Sequence, residues 1–369
     1  MTARRPRGTR APVLGDVSLV ALAATLAAAS GAVHAAGAGE VAPFVVSGVA
    51  LALLAALVGR SVDRLGDRLG SGATGFVQSA LGNLPELFVG IFALRAGLPR
   101  VVQSAIVGSI LANVLLVLGA AFVVGGLRNG TQRFHADAPR SAALLLLLAV
   151  AVIAVPTLSS HIGGAAAHHE QALSDVASAV LLVVYVLSIP SALRAAPVAP
   201  SALRAAPSAP SAPAHSGWPT SVVVAALLGS SVTAAFVSDW FVSSLTPALG
   251  ALHLSAAFAG FVVVAIAGNA VENVVGIGLA ARNRPDYALS AILQSPVQIA
   301  LAVLPLLVLL SGPIGGAHLN LVMPLMLLAA LGIGAAIAVV VVFDGESTWL
   351  EGAALIGCYV ALAAVFWWG

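Results

Sequence analysis

Two glutamates pose the chemical question. Residues 82–92 read GNLPELFVGIF and residues 268–278 read GNAVENVVGIG, which puts Glu86 and Glu272 inside apolar runs. An ionised carboxylate is costly in hydrocarbon, so an intramembrane glutamate is a functional candidate by default. On a helix, Ser79, Asn83, Glu86 and Gly90 share one face, as do Asn269, Glu272 and Gly276. The glycines Gly82, Gly268, Gly90 and Gly276 allow close backbone approach, and Pro85 or a neighbouring break would free a carbonyl to line a cavity. Two carboxylates with amide, hydroxyl and carbonyl oxygens make a hard donor set suited to Ca²⁺, which takes roughly six to eight oxygens. Neither motif contains Cys or His, which argues against Zn²⁺ or Cu⁺. The same carboxylates can trade the metal for protons, because low dielectric and a like-charged neighbour both favour the protonated form. An empty, doubly ionised site suffers repulsion and desolvation, so it holds either a divalent cation or protons. That alternation is what an antiporter requires. The plainer alternative is a structural pair of glutamates satisfied by asparagine and backbone donors. Ca²⁺ and H⁺ are the small partners of this chemistry, and it calls for no cofactor.

The elements that must position these residues are membrane helices. Of 369 residues, 60% are hydrophobic and 8% charged, with a mean hydropathy of +1.05; a soluble domain carries about 25% charged residues. Eleven apolar stretches have the length of a crossing: 17–36, 41–59, 73–95, 101–126, 139–158, 171–190, 219–245, 255–281, 287–311, 318–343 and 349–367. All 16 basic residues are arginine. With the N-terminus cytoplasmic, 14 of them fall on that side and only Arg95 and Arg100 fall outside, as the positive-inside rule asks. Arginines this few, at helix ends, do not point to nucleic acid. The partner is a lipid bilayer, and a homo-oligomer is compatible with the sequence without being required by it. Residues 1–38 also read as a signal peptide, with basic residues, an apolar stretch and VHAAGA; a retained first helix is the favoured reading. One cysteine, Cys358, excludes a disulfide framework. With no lipid or organelle signal, the chain suits a bacterial plasma membrane.

A shift of 186 residues lays the two glutamate motifs on each other without a gap, with 11 of 28 positions identical from Gly82 to Ser109. The repeat unit is five spans, 2–6 and 7–11. Because five is odd, the halves cross the membrane in opposite directions, an architecture that places a transport site at the midplane. The expected organisation is an N-terminal arm and first helix (1–40), a first five-helix repeat (41–190), a linker rich in Ala and Pro (191–217) and a second five-helix repeat (218–369). The fold class is therefore an all-α polytopic membrane protein with about 11 transmembrane helices: one extra N-terminal helix plus two inverted five-helix repeats.

Three stretches resemble the cation/proton exchangers of the CAX type, within the calcium/cation antiporter superfamily. GNLPELFVGIFALRAGLPRVVQSAIVGSILANVLLVLGAAFVVGGL (82–127) is similar to that family's first conserved region, and GNAVENVVGIGLAARNRPDYALSAILQSPVQIAL (268–301) to its second. DGESTWLEGAALIGCYVALAAVFWWG (344–369) resembles its last helix. The resemblance implies a secondary Ca²⁺/H⁺ antiporter, not an enzyme, with Glu86 and Glu272 shared by metal and protons and Asn83 and Asn269 beside them. It implies further ligands from the adjoining helices: Ser109 and Asn113 on one side, Ser295 and Gln298 on the other. Three features depart from the family pattern. Gln294-Ser295-Pro296 stands where a GSS-type turn is usual, Asn273 replaces a common histidine, and residues 191–217 contain no Asp or Glu.

Other polar residues invite plainer readings. His161, His168, His169 and Glu170 fall in an external loop where a metal-capture role lacks defined geometry. Asp175 and Asp239 sit near span ends, and Glu351 beside Trp349 reads as an interfacial anchor. The alternatives to Ca²⁺/H⁺ exchange are a monovalent (Na⁺ or K⁺) or other divalent cation/proton exchanger, favoured by the altered QSPVQ turn, and a passive channel using a carboxylate ring. An intramembrane hydrolase is disfavoured, since the chain has no HExxH and no paired aspartates deep in a span.

Overall fold

Proline and left-handed residues punctuate the chain where the sequence allows it to turn. The computed structural model describes residues 16–69, 83–163, 165–195 and 219–368. Within them run α1 (Asp16–Ala35), α2 (Ala42–Leu69), α3 (Leu84–Arg95), α4 (Pro99–Asn129), α5 (Asp137–Ile162) and α6 (Glu170–Ala195). The second half supplies α7 (Thr220–Leu252), α8 (residues 256–281), α9 (Pro285–Ser311), α10 (Leu325–Val341) and α11 (Trp349–Trp367). Pro99 and Pro285 open α4 and α9, where a missing N–H costs nothing. Just before them, Gly97 and Asn283 adopt left-handed φ values of 77° and 56° that end α3 and α8. The two residues are 186 positions apart, so the two repeats are closed by the same turn.

Each of the eleven expected stretches overlaps a helix among the described residues. Eight helices among the described residues are long and apolar enough to cross a bilayer, and Ala256–Gly268 and Leu325–Val341 are shorter apolar segments. The third stretch is described only from Asn83 onward, and the linker only up to Ala195, because α6 continues five residues past its expected end. Residues 196–218, Gly82, Ser79 and the N-terminal arm before Asp16 lie outside the described residues. Two expected boundaries are corrected. Helix α2 runs on through Arg60 and Arg64 to Leu69, since arginines prolong a helix beyond its apolar stretch. Residues 318–324 are not helical, because Pro324 disfavours helix in the residue before it and neighbouring side chains take up this backbone's hydrogen bonds. Beside the helices lies a short antiparallel pair, Gln132–Arg133 with Glu346–Ser347.

Helices α4 and α9 lie at the centre and are the most enclosed of the candidate spans, with 83% and 78% of their apolar windows buried. Each contains a wider π-helical turn at matching positions, Ala112–Val117 and Ile299–Val303. In α9 the π turn precedes Pro305, whose ring would otherwise strike the carbonyl four residues back. In α4 the Asn113 Nδ2 donates to the Ser109 carbonyl at 3.0 Å.

The pairing of helices follows the repeat. Equivalent helices α2 and α7 pack along their lengths, as do α5 and α10, while α3 on α7 mirrors α8 on α2. The final helix of each repeat reaches into the other half: α6 packs on α9 as well as on α5, and α11 packs chiefly on α4. Gly119 and Gly352 permit the second of these contacts, since a Cβ on Gly119 would lie 2.7 Å from the Gly352 carbonyl oxygen. Helix α1 adds to the α2–α7 pair through Leu19, Ala23, Ala27 and Ser30, a buried stripe at helical spacing.

Loop contacts form two groups. In one, the α4–α5 loop meets the α8–α9 turn and the α10–α11 loop, through Gln132 with Asn283, His135 with Asp286 and Arg133 with Glu346. In the other, the α9–α10 loop meets the α3–α4 turn and the α5–α6 region, through Ala317 with Leu94, Thr157 with Leu321 and Gln171 with Leu319. Each group contains only loops that the arginine count assigns to one side.

Glu351 has a more specific role than interfacial anchoring. Its Oε2 accepts from the Thr348 N–H at 2.8 Å while its own N–H donates to Thr348 Oγ1 at 3.3 Å, a capping box that starts α11.

Candidate functional site

Helix α3 begins at Leu84 with Asn83 as its N-cap and Pro85 in the first turn. Glu86 is therefore a first-turn residue, placed where unsatisfied N–H groups and the helix dipole favour negative charge. In α8, by contrast, the helix runs unbroken through Gly268 and residue 272. The difference traces to Pro85, which starts a helix, standing where the second repeat has Val271. Asn269 and Glu272 lie on α8, and their side chains are outside the described residues.

The half-buried Glu86 meets the second motif directly. A Cβ on Gly268 would sit 3.1 Å from Glu86 Oε1 and 3.3 Å from its Cγ, so the carboxylate of one repeat lies against the glycine of the other. Both residues line a small, partly open pocket whose remaining wall includes Gly90, Ser109, Leu51 and Val264. Glu86 and Ser109 are polar groups in an otherwise apolar wall, the pattern of a site where few polar atoms fix a small ligand. Asn83, 5% exposed, donates from Nδ2 to Gln298 Oε1 at 2.8 Å, joining the start of α3 to the end of α9's first segment. Its Oδ1 has no hydrogen-bond partner among the described residues and is an acceptor available to a cation.

The remaining expected residues are distributed around this core. Asn113 and Ser295 are buried, one turn from Ser109 and Gln298 respectively, and do not line the pocket. Gly90 and Gly276 are packing positions: each faces a side chain of α9, Leu307 and Ile292, whose atoms would come within 2.6 and 2.5 Å of an added Cβ. Among the described residues no group of three His, Cys, Asp or Glu converges, so His161, His168, His169 and Glu170 form no metal centre there, and His161 Nδ1 sits 2.9 Å from the Thr157 carbonyl.

Sequence reasoning missed the apolar half of the site. Leu51 of α2 and Val264 of α8 carry no signal beyond hydrophobicity. Gly260, where an added Cβ would meet the Val101 carbonyl oxygen at 2.8 Å, lets the π-helical stretch Ala259–Val264 press against α4.

The family model for the sodium/calcium exchanger protein matches residues 40–192 and 222–368. This chain belongs to that family. It is 32% identical over 338 residues to a Ca²⁺/H⁺ antiporter of Aphanothece halophytica, covering 89% of this chain and 90% of the relative. It is also 32% identical to a Ca²⁺/H⁺ antiporter of Synechocystis sp., covering 91% and 93%. The solved structure of native YfkE superposes with a TM-score of 0.80 at 28% identity, covering 95% of this chain and all of that one. The resemblance read from the two glutamate regions is thus confirmed, and this exchanger-family chain is an integral membrane protein with its family's helical fold.

Proposed function

We propose that the chain is a secondary active antiporter that exchanges Ca²⁺ for H⁺ by alternating access, with Glu86 and Glu272 as the midplane carboxylates that metal and protons share. One observation carries the reading: Glu86 of the first motif abuts Gly268 of the second inside a pocket with Ser109. Two relatives bearing the name Ca²⁺/H⁺ antiporter, aligned over nine-tenths of the chain, support the choice of ions. In this reading Glu86, Asn83 Oδ1 and Ser109 supply hard oxygens from the first repeat, and Glu272 and Asn269 supply them from the second. Gln298 orients Asn83 by engaging its amide nitrogen and leaving the oxygen free for the ion. Asn113 and Ser295, buried behind the pocket wall, back Ser109 and Gln298 from the next turns. The two halves, 41–190 and 218–369, cross the membrane in opposite senses within an eleven-span chain whose N-terminus is cytoplasmic, in a bacterial plasma membrane.

The test is flux in proteoliposomes under an imposed pH gradient, with Ca²⁺, Mn²⁺, Na⁺ and K⁺ offered in turn. Ca²⁺ entry should follow the proton gradient and resist a large excess of Na⁺ or K⁺. Proton flux driven equally well by Na⁺ or K⁺ would move the assignment to a monovalent exchanger, and Ca²⁺ current without pH coupling would make it a channel.

A further inference from the structure

The glutamate helices end in the same way. Gly97 donates its N–H to the Leu94 carbonyl at 3.0 Å, and its repeat equivalent Asn283 donates to the Ala280 carbonyl, also at 3.0 Å. Leu94 and Ala280 are themselves 186 residues apart. Each carbonyl then accepts from the opposite repeat as well, Ala280 also from Asn129 Nδ2 at 3.3 Å. The Ala317 N–H reaches Leu94 at 2.9 Å from the α9–α10 loop. Gln132 Nε2 reaches Ala280 at 3.0 Å from the α4–α5 loop, and also donates to Asn283 Oδ1 at 3.0 Å. Gln132 is 2% exposed, unusual for a glutamine in a loop.

We infer that these loops are two latches, one on each face, and that Gln132 is a positioning residue for the helix carrying Glu272. The inference rests on the alternating-access reading above. Each latched carbonyl lies eight residues beyond its glutamate, about 12 Å along the helix axis, so holding it fixes the tilt of the helix that presents the carboxylate. Access that alternates requires one latch to loosen while the other holds.

The latches differ in build. On the α3 side Gln103 Nε2 donates to the Asn320 and Val322 carbonyls at 3.1 and 2.9 Å, Thr157 Oγ1 donates to the Leu321 carbonyl at 2.8 Å, and Leu319, Leu321 and Met323 are buried. On the α8 side the supporting pairs are exposed, with Arg133 and Glu346 side chains 81% and 44% accessible. Water competes for exposed pairs and not for buried ones, so the α8-side latch is the easier to open. The pocket beside Glu86 extends to Ala93, next to the Leu94 latch.

The experiment reads accessibility rather than transport. Ala105 lines the pocket, so Ala105→Cys in a Cys358→Ala background reports its opening to a hydrophilic methanethiosulfonate reagent on the purified full chain. Gln132→Ala, by loosening the α8-side latch, should slow labelling about two- to tenfold, the bias one hydrogen bond can supply. Gln103→Ala should accelerate it by a similar factor. Shifts of the same sign, or none, in variants that keep wild-type helical content would overturn the latches. Should Gln132→Ala not fold, Asn283→Gly removes the amide's second partner while keeping the left-handed turn, and it too must slow labelling; a rise or no change refutes the assignment. Opposed shifts in a chain that moves no Ca²⁺ against protons would keep the latches and sink the exchange reading. Normal exchange with unmoved labelling would do the reverse.

Discussion

At the scale of single residues, the contact between Glu86 and Gly268 can be perturbed by one methyl group. Gly268→Ala would place its Cβ 3.1 Å from Glu86 Oε1, so the carboxylate must give by a few tenths of an ångström. The expected outcome is a Ca²⁺ affinity weakened by about tenfold, since even a 1 Å misplacement can cost roughly a hundredfold. The unfolding midpoint should change little. Calcium-dependent flux across a concentration series, run beside a thermal melt, separates the two effects. The Asn83–Gln298 bond makes a second prediction. Gln298→Ala leaves a buried donor without its acceptor and should cost about 1–3 kcal/mol of stability. Asn83→Ala and the double variant should show a coupling of about 0.5 kcal/mol or more in a thermal-melt cycle. Additivity would mean that the bond does not form in the membrane.

At the scale of elements, the close approach of α4 to the π-helical stretch of α8 depends on glycine. A Cβ on Gly108 would collide with the Phe261 backbone, whereas one on Gly278 would meet nothing within 4 Å. Gly108→Ala should therefore destabilise by about 1–3 kcal/mol or more. Gly278→Ala should be neutral or stabilising by up to about 1 kcal/mol. Melting midpoints of the two purified variants check the contrast, and equal effects would argue against the crossing. The helices were legible because apolar length is a strong signal, and each of the eleven stretches overlaps a helix among the described residues. The π turns were not legible. They answer to Pro305 and Asn113 in a packed context, and neither residue type demands a π turn by itself. The capping role of Glu351 was overlooked although Thr348-Trp349-Leu350-Glu351 carries the capping-box spacing, because its place beside a tryptophan at a span end drew the reading to the interface.

At the scale of the whole molecule, the exchange of last helices between halves makes the repeats interdependent. Helix α6 completes the second repeat by packing on α9, and α11 completes the first by packing on α4. A chain cut between residues 196 and 218 and expressed as two co-translated halves should assemble and co-purify, while either half alone should fail to accumulate. Recovery of a stable single half would contradict the interlaced packing. The repeat itself was legible from 11 identities in 28 positions. The crossing of helices between repeats was not, since a repeat alignment says which segments are equivalent and nothing about which half they touch. The buried glutamines stayed hidden for the same reason. Gln103 and Gln132 have Leu289 and His318 as their repeat equivalents, so no duplicated signal marks them, and in sequence they read as ordinary polar residues near helix ends.

The sharing of Glu86 and Glu272 between metal and protons is tested most directly by Ca²⁺-driven proton flux in proteoliposomes made with Glu86→Gln and Glu272→Gln. Glutamine keeps the shape of each side chain and removes its charge and its exchangeable proton. Each variant should remain folded and lose the coupled flux entirely. Near-normal exchange by either one would contradict the account.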